Sequence, residues 1–224
     1  VRKSTVWKEI PFAFLGVVVL AFMASDALLD GAATSVLSRI DGLLLMSFFA
    51  IFLYYIVGIA KQSPDDTQEK PADLSLVRSG LLIAAGLVGL VIGGKWIVDG
   101  AIVFAQSLGV SEALIGLTIV AIGTSLPELA TSVVAALKKN VDIAVGNIVG
   151  SNIFNIFWIL GISAFITPLP FAPAMTTDIL VTLGASLLLL LALFVGKRHT
   201  IEKWQGFAFI GLYVLYVVYV ISRG

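Results

Sequence analysis

Glu128 asks the most of its surroundings. It closes the segment Gly123–Glu128 (GTSLPE) inside the apolar run Leu117–Leu137, LTIVAIGTSLPELATSVVAAL. The hydropathy pattern puts no other carboxylate near the middle of a membrane span. An acid at the bilayer centre costs about 2.5–3.5 kcal/mol on insertion scales, so such groups face a bundle interior or a wet cavity and serve a function. The alternative is a neutral, protonated Glu hydrogen-bonded to a neighbouring helix, and its neighbours argue against that. Thr124 and Glu128 are four apart and share a helix face, with Ser125 beside it. Pro127 lacks an N–H and its ring clashes with the carbonyl of Gly123, so the helix should kink there and release backbone oxygens. Gly123 is expected to permit the distortion. Hydroxyls, carbonyls and one carboxylate form an all-oxygen surface suited to hard cations such as Na⁺ and Ca²⁺. Irregular backbone at membrane depth is tolerated where it lines a cavity, and transporters use such broken helices to hold ions.

A second polar group follows in Gly146–Asn155, GNIVGSNIFN. Asn147, Ser151 and Asn155 recur every four residues and form one stripe, with Asn152 just off it. Gly146 and Gly150 make a small-xxx-small pair that admits another helix closely. By itself the stripe serves equally well as hydrogen-bonding glue between helices; beside a Glu-bearing broken helix it reads as a second wall of a cation site. The connector Lys138–Asp142 is short, which makes the two spans antiparallel neighbours.

The composition supplies the elements that must hold these groups at depth. The 224 residues are 59% hydrophobic and 12% charged, with a mean hydropathy of +1.05, whereas soluble domains are about a quarter charged. The apolar residues come in long blocks, and about 20 suffice to cross a bilayer as a helix. The sequence therefore predicts an all-α polytopic membrane protein of about seven transmembrane helices, at 10–29, 41–60, 77–105, 112–137, 141–166, 174–195 and 203–221. Residues 1–60 hold two short-looped spans, 61–76 a cytoplasmic linker around Lys61–Asp73 (KQSPDDTQEKPAD), and 77–224 a five-span block containing both polar groups. Loops kept in the cytoplasm are enriched in Lys and Arg. With the first span running outward, one side collects Arg2, Lys3, Lys8, Lys61, Lys70, Arg78, Lys138, Lys139, Lys197, Arg198 and Lys203. That side is the cytoplasm, with the amino end inside and the carboxyl end outside.

Other residues carry less. Lys95 and Asp99 sit one turn apart in the third span and read as an i,i+4 pair near the interface. Asp26, Asp30, Asp41 and Asp178 fall near outer span ends, and Trp7, Trp96 and Trp204 near interfaces, while Trp158 is deeper and reads as packing. The single histidine, His199, lies in a polar loop and is not expected to bind metal; the absence of cysteine excludes disulfides and thiolate chemistry. A formal net charge of zero points to no nucleic acid partner. No nucleophile, base and orienting group share one depth, so catalysis and a bound cofactor are not expected.

Between Gly94 and Gly161, the phrases GLTIVAIGTSLPELATSVVAA and GNIVGSNIFNIFWILG resemble the second conserved repeat of the calcium/cation antiporters, in particular the bacterial and archaeal sodium/calcium exchangers. The resemblance implies a ten-helix transporter of two inverted halves, of which this chain is helices four to ten. Residues 1–60 would then be the last helix of the first half and the first of the second. Residues 1–76 hold no second Gly-Thr-Ser-x-Pro-Glu-like segment and the chain opens on Val1, so a fragment is expected, with the first repeat before it. The resemblance implies Thr124, Ser125, Glu128, Ser151 and Asn155 as the cation ligands of this half, supported by Gly123, Pro127, Asn147 and Asn152. Some family members carry an acid where this chain has Asn155, which removes a titratable charge. Ca²⁺ takes about six to eight oxygens, usually with more than one carboxylate. This half offers one, so a second acid is expected on the other half, opposite Glu128.

The expectation is an antiporter in the inner (cytoplasmic) membrane that exchanges Na⁺ for Ca²⁺ by alternating access, with these ions and the lipid bilayer as its partners. Ca²⁺/H⁺ exchange is the alternative within transport. A non-transporting structural membrane subunit is the alternative outside it, and leaves a buried Glu beside Pro unexplained.

Overall fold

The computed structural model describes residues 5–62, 74–110, 115–196 and 200–223. Most of the expected linker, with Arg2, Lys3 and His199, lies outside the described residues. The helices are α1 (Ile10–Met23), α2 (Asp26–Leu29), α3 (Arg39–Gln62), α4 (Leu76–Ser107), α5 (Ala121–Thr124), α6 (Leu126–Leu137), α7 (Val141–Ile153), α8 (Gly161–Ile166), α9 (Pro173–Ala192) and α10 (Lys203–Arg223). Among the described residues three π-helical turns join the set: Thr5–Glu9 runs into α1, Gly116–Val120 into α5, and Phe154–Leu160 links α7 to α8. Six helices among the described residues are long and apolar enough to cross a membrane. The bent pair Thr118–Thr124 and Leu126–Leu137 makes a seventh if it is one span. The protein is a multi-pass helical membrane protein. The first span is Thr5–Met23 rather than 10–29, because the π turn extends its amino end and the chain closes it at Ala24 and Ser25, whose N–H groups donate to the Leu20 and Phe22 carbonyls respectively. Two short strands, β1 (Ser35–Leu37) and β2 (Leu169–Phe171), pair antiparallel with Val36 opposite Pro170.

The chain forms two compact units, each drawn from two stretches of sequence. The first comprises Val1–Pro64 and Asn140–Glu202. Its core gathers Val6, Ile10, Leu37, Leu45, Ile153 and Phe157, all at most 2% exposed. Phe157 meets Phe12 and Phe48 at ring-centroid distances of 5.1 and 5.5 Å, and Trp158 packs on Phe49 at 5.4 Å. Helices α3 and α8 cross at Gly42 and Gly161. A Cβ on Gly42 would lie 2.6 Å from the Gly161 carbonyl oxygen and 2.6 Å from the Phe165 nitrogen, and small residues are what allow helix backbones in a membrane to approach so closely. The expected interfacial acids stabilise local turns. Asp26 accepts the Val36 N–H at 3.0 Å, and Asp41 accepts the Ser38 N–H and hydroxyl at 2.8 and 2.6 Å at the start of α3. The second unit comprises Asp65–Lys139 and Lys203–Gly224 and holds α4, α5, α6 and α10. Here α4 packs against α5 and α6.

Candidate cation site

The Glu128 span is built around a backbone break. The π turn Gly116–Val120 leads into α5, which ends after four residues at Thr124. Ser125 leaves helical geometry (φ −98°, ψ 4°) and the chain resumes as α6, bent by 54°. Pro127 explains the position, because it sits in the first turn of the new helix, where a missing N–H costs nothing. Gly123 has a different role from the one expected of it. Its φ is not positive; instead, a Cβ there would overlap the side chain of Val98 on α4. The glycine is required for close packing rather than for backbone freedom.

Ser125-Leu126-Pro127-Glu128 has the spacing of a capping box, in which a serine hydroxyl and a glutamate would satisfy each other's backbone N–H groups. The Ser125 hydroxyl makes no such bond, and its N–H donates to the Ile122 carbonyl at 3.0 Å. The hydroxyl is therefore left for another partner. Glu128 stands in the first turn of α6, at the N–H end of that helix. The residue is half-buried and its Oε2 is shut off from solvent; Thr124 and Ser125 are exposed. One turn on, Thr131 donates to the Pro127 carbonyl at 2.8 Å. Ser132 is 9% exposed and four residues from Glu128 on the same face. The sequence reading passed over Ser132, although the i,i+4 spacing from the acid was its signal.

The amide-bearing span belongs to the first unit. Asn140 caps α7 by accepting the Ile143 N–H at 3.3 Å. Val149, Ile153 and Phe157 are buried in that unit's core. Asn147, Ser151 and Asn155 each precede one of these by two residues, which is about 200° of rotation, so the polar stripe lies opposite the core-packed face. Asn147 and Ser151 are half-buried and Asn152 and Asn155 exposed. The Ser151 hydroxyl donates to the Ile148 carbonyl at 3.0 Å. Asn155 falls within the π turn Phe154–Leu160. Such turns are often found at functional sites. Thr124, Ser125 and Glu128 thus stand together at the break of the second unit, and Asn147, Ser151, Asn152 and Asn155 along one helix of the first. Among the described residues no group of three or more His, Cys, Asp or Glu side chains could hold a metal ion. Any ion held by Glu128 is completed by neutral oxygens or by carboxylates from elsewhere.

Comparison with known proteins bears on this arrangement. A family model described as "Sodium/calcium exchanger protein" matches residues 78–222. The putative antiporter CaxA of Alkalimonas amylolytica is 37% identical over 94% of this chain and 68% of its own length. The inner membrane protein YrbG of Escherichia coli strain K12 is 37% identical over 75% of the chain and 52% of its own length. The solved structure of the sodium/calcium exchanger from Methanococcus jannaschii matches 97% of this chain and 65% of its own, at 34% identity and a TM-score of 0.74. The chain thus spans about half to two thirds of the lengths of these relatives.

Proposed function

Because this chain belongs to the sodium/calcium exchanger family, we propose that the protein carrying it moves Ca²⁺ across the inner membrane against Na⁺ by alternating access. The observation that carries this reading is the broken span. A carboxylate at mid-span stands in the first turn of a helix that starts at a 54° bend, beside two exposed hydroxyl residues. Thr124, Ser125, Glu128, Ser151 and Asn155 are the ligands of this half. Glu128 is the anionic ligand that Ca²⁺ and Na⁺ share, so loading by one ion displaces the other. Pro127 sets the break, Gly123 lets α4 pack closely beside it, and Asn147 and Asn152 support the amide wall. A divalent ion in a low-dielectric site calls for a second carboxylate; it stands opposite Glu128 on the other inverted half of the exchanger. The asymmetry of Lys and Arg among the loops supports an amino end in the cytoplasm and a carboxyl end outside.

Na⁺-driven ⁴⁵Ca²⁺ uptake into vesicles bearing the native protein tests this. Glu128→Gln keeps the shape and removes the charge, and uptake is expected to fall at least about 100-fold, the equivalent of about 2.7 kcal/mol. Normal uptake by the variant would sink the assignment. Uptake driven by a pH gradient without Na⁺ would replace Na⁺ exchange with H⁺ exchange.

A further inference from the structure

The span that carries Asn155 buries Val149, Ile153, Phe157 and Gly161, each four residues after the last. In an unbroken α-helix three such steps carry the buried face about 120° round the axis. The π turn Phe154–Leu160 removes most of that drift. Its backbone bonds reach across five residues rather than four, so the turn takes in one extra residue, which amounts to about 100° of rotation. The four buried residues thereby keep to one face.

Two helices of the same unit pin the turn. At Phe157, α1 offers a notch: a Cβ on the buried Gly16 would lie 3.0 Å from the ring's Cζ and 3.1 Å from its Cε2. The ring is fully buried, with those of Phe12 and Phe48 at centroid distances of 5.1 and 5.5 Å, so it has little room to swing away. At Gly161, where the turn ends, α3 closes in: a Cβ would lie 3.1 Å from the Met46 side chain and 3.2 Å from the Gly42 carbonyl oxygen. Expelling the extra residue would rotate Phe157 by about 100° relative to Gly161, and one of the two contacts would be lost. Asn155 lies inside the turn, two residues before Phe157.

We propose that Gly16 and Phe157 are positioning residues for the cation site: the ring seated against Gly16 holds the π turn in register and so fixes the Asn155 side-chain oxygen where it takes the ion. Neither residue offers a side-chain oxygen, and both act through the backbone of the turn. The proposal rests on the reading of Asn155 as a ligand.

The test is Na⁺-driven ⁴⁵Ca²⁺ uptake by the full-length exchanger in vesicles. Gly16→Ala crowds the ring and is expected to raise the apparent KM for Ca²⁺ about 10-fold, the lower end of the effect of groups that orient metal ligands, with maximal flux retained. Phe157→Leu empties the notch and is expected to raise the KM similarly; it is the variant read if Gly16→Ala fails to assemble. Gly16→Ala/Phe157→Leu refills the notch and is expected to return the KM most of the way to native, because the two positions share one contact. Lower thermal stability with a native KM in both single variants would make the pair packing alone and overturn the proposal. Asn155→Ala separates the proposal from the reading beneath it. It is expected to raise the KM by itself, and Gly16→Ala added to it should change the KM no further, since both take the same oxygen from the ion; additive increases would overturn the proposal. A raised KM for Asn155→Ala with a native one for Gly16→Ala would leave Asn155 a ligand and sink the positioning role. A native KM for Asn155→Ala would remove the ligand and the proposal with it.

Discussion

At Ser125 the Glu128 span turns through 54°, and of the residues on α6 only Ser132 and Ala135 are buried. The Asn155 span runs from Val141 to Ile166 as one candidate span. It widens into a π turn, and its far face is locked into a core by Val149, Ile153 and Phe157. The proposed charged ligand therefore stands at a backbone break, on a helix that buries few residues within this chain; the proposed neutral ones stand on a helix packed from behind. A carboxylate proposed to meet Na⁺ and Ca²⁺, ions alike in size but different in charge, must adapt its coordination, whereas amide and hydroxyl oxygens, weaker individually, need their positions fixed.

The two close helix approaches sharpen that contrast. Gly42 meets backbone on α8, at 2.6 Å from the Gly161 oxygen, whereas Gly123 meets the end of one side chain, Val98. Backbone cannot yield without moving a helix. Gly42→Ala is therefore expected to cost about 3 kcal/mol, the upper range for overpacking, read as loss of the folded fraction in detergent thermal unfolding. No shortened neighbouring side chain should rescue it. A tolerated alanine would show the first unit to be as pliable as the second. Gly123→Ala should cost less, about 1–2 kcal/mol, and Gly123→Ala/Val98→Ala should recover most of that, because the two positions share one contact. Failure of the double variant to recover would mean that Gly123 serves the backbone after all.

The six spans found among the described residues were legible because each is an apolar block of bilayer length, and the bend of the pair that makes a seventh if it is one span was legible because proline chemistry fixes where a helix can restart. The register of the first span was not: π geometry at Thr5–Glu9 leaves no mark in residue type. Nor was the strand pairing. Each strand has three residues, too few to carry an alternation, and Pro170 at the middle of β2 argues locally against a strand. The four-residue stripe of Asn147, Ser151 and Asn155 was read on an α-helical period, yet Asn155 falls in a π turn. Among the candidate site residues, spacing located the break beside Glu128; the packing role of Gly123 needed a neighbour from α4, about 25 residues earlier in the chain.

The amide wall offers the two finer tests. Asn155→Asp adds a titratable charge beside the proposed ligands without changing shape. Protons would then compete with Ca²⁺, and as pH falls from about 8 to 6 the variant should lose about tenfold more Na⁺-driven flux than the native protein. Parallel pH profiles for variant and native would place Asn155 away from the ion.

Ser151→Ala should have the smallest effect. Its hydroxyl already donates to the Ile148 carbonyl at 3.0 Å, a bond that leaves its oxygen lone pairs for a cation. Removing it takes one neutral oxygen from a shell of about six to eight. The apparent Ca²⁺ KM should rise about threefold, equivalent to about 0.6 kcal/mol, with thermal stability unchanged. A drop in stability with an unchanged KM would make Ser151 helix glue, and the wall would then reduce to its amides.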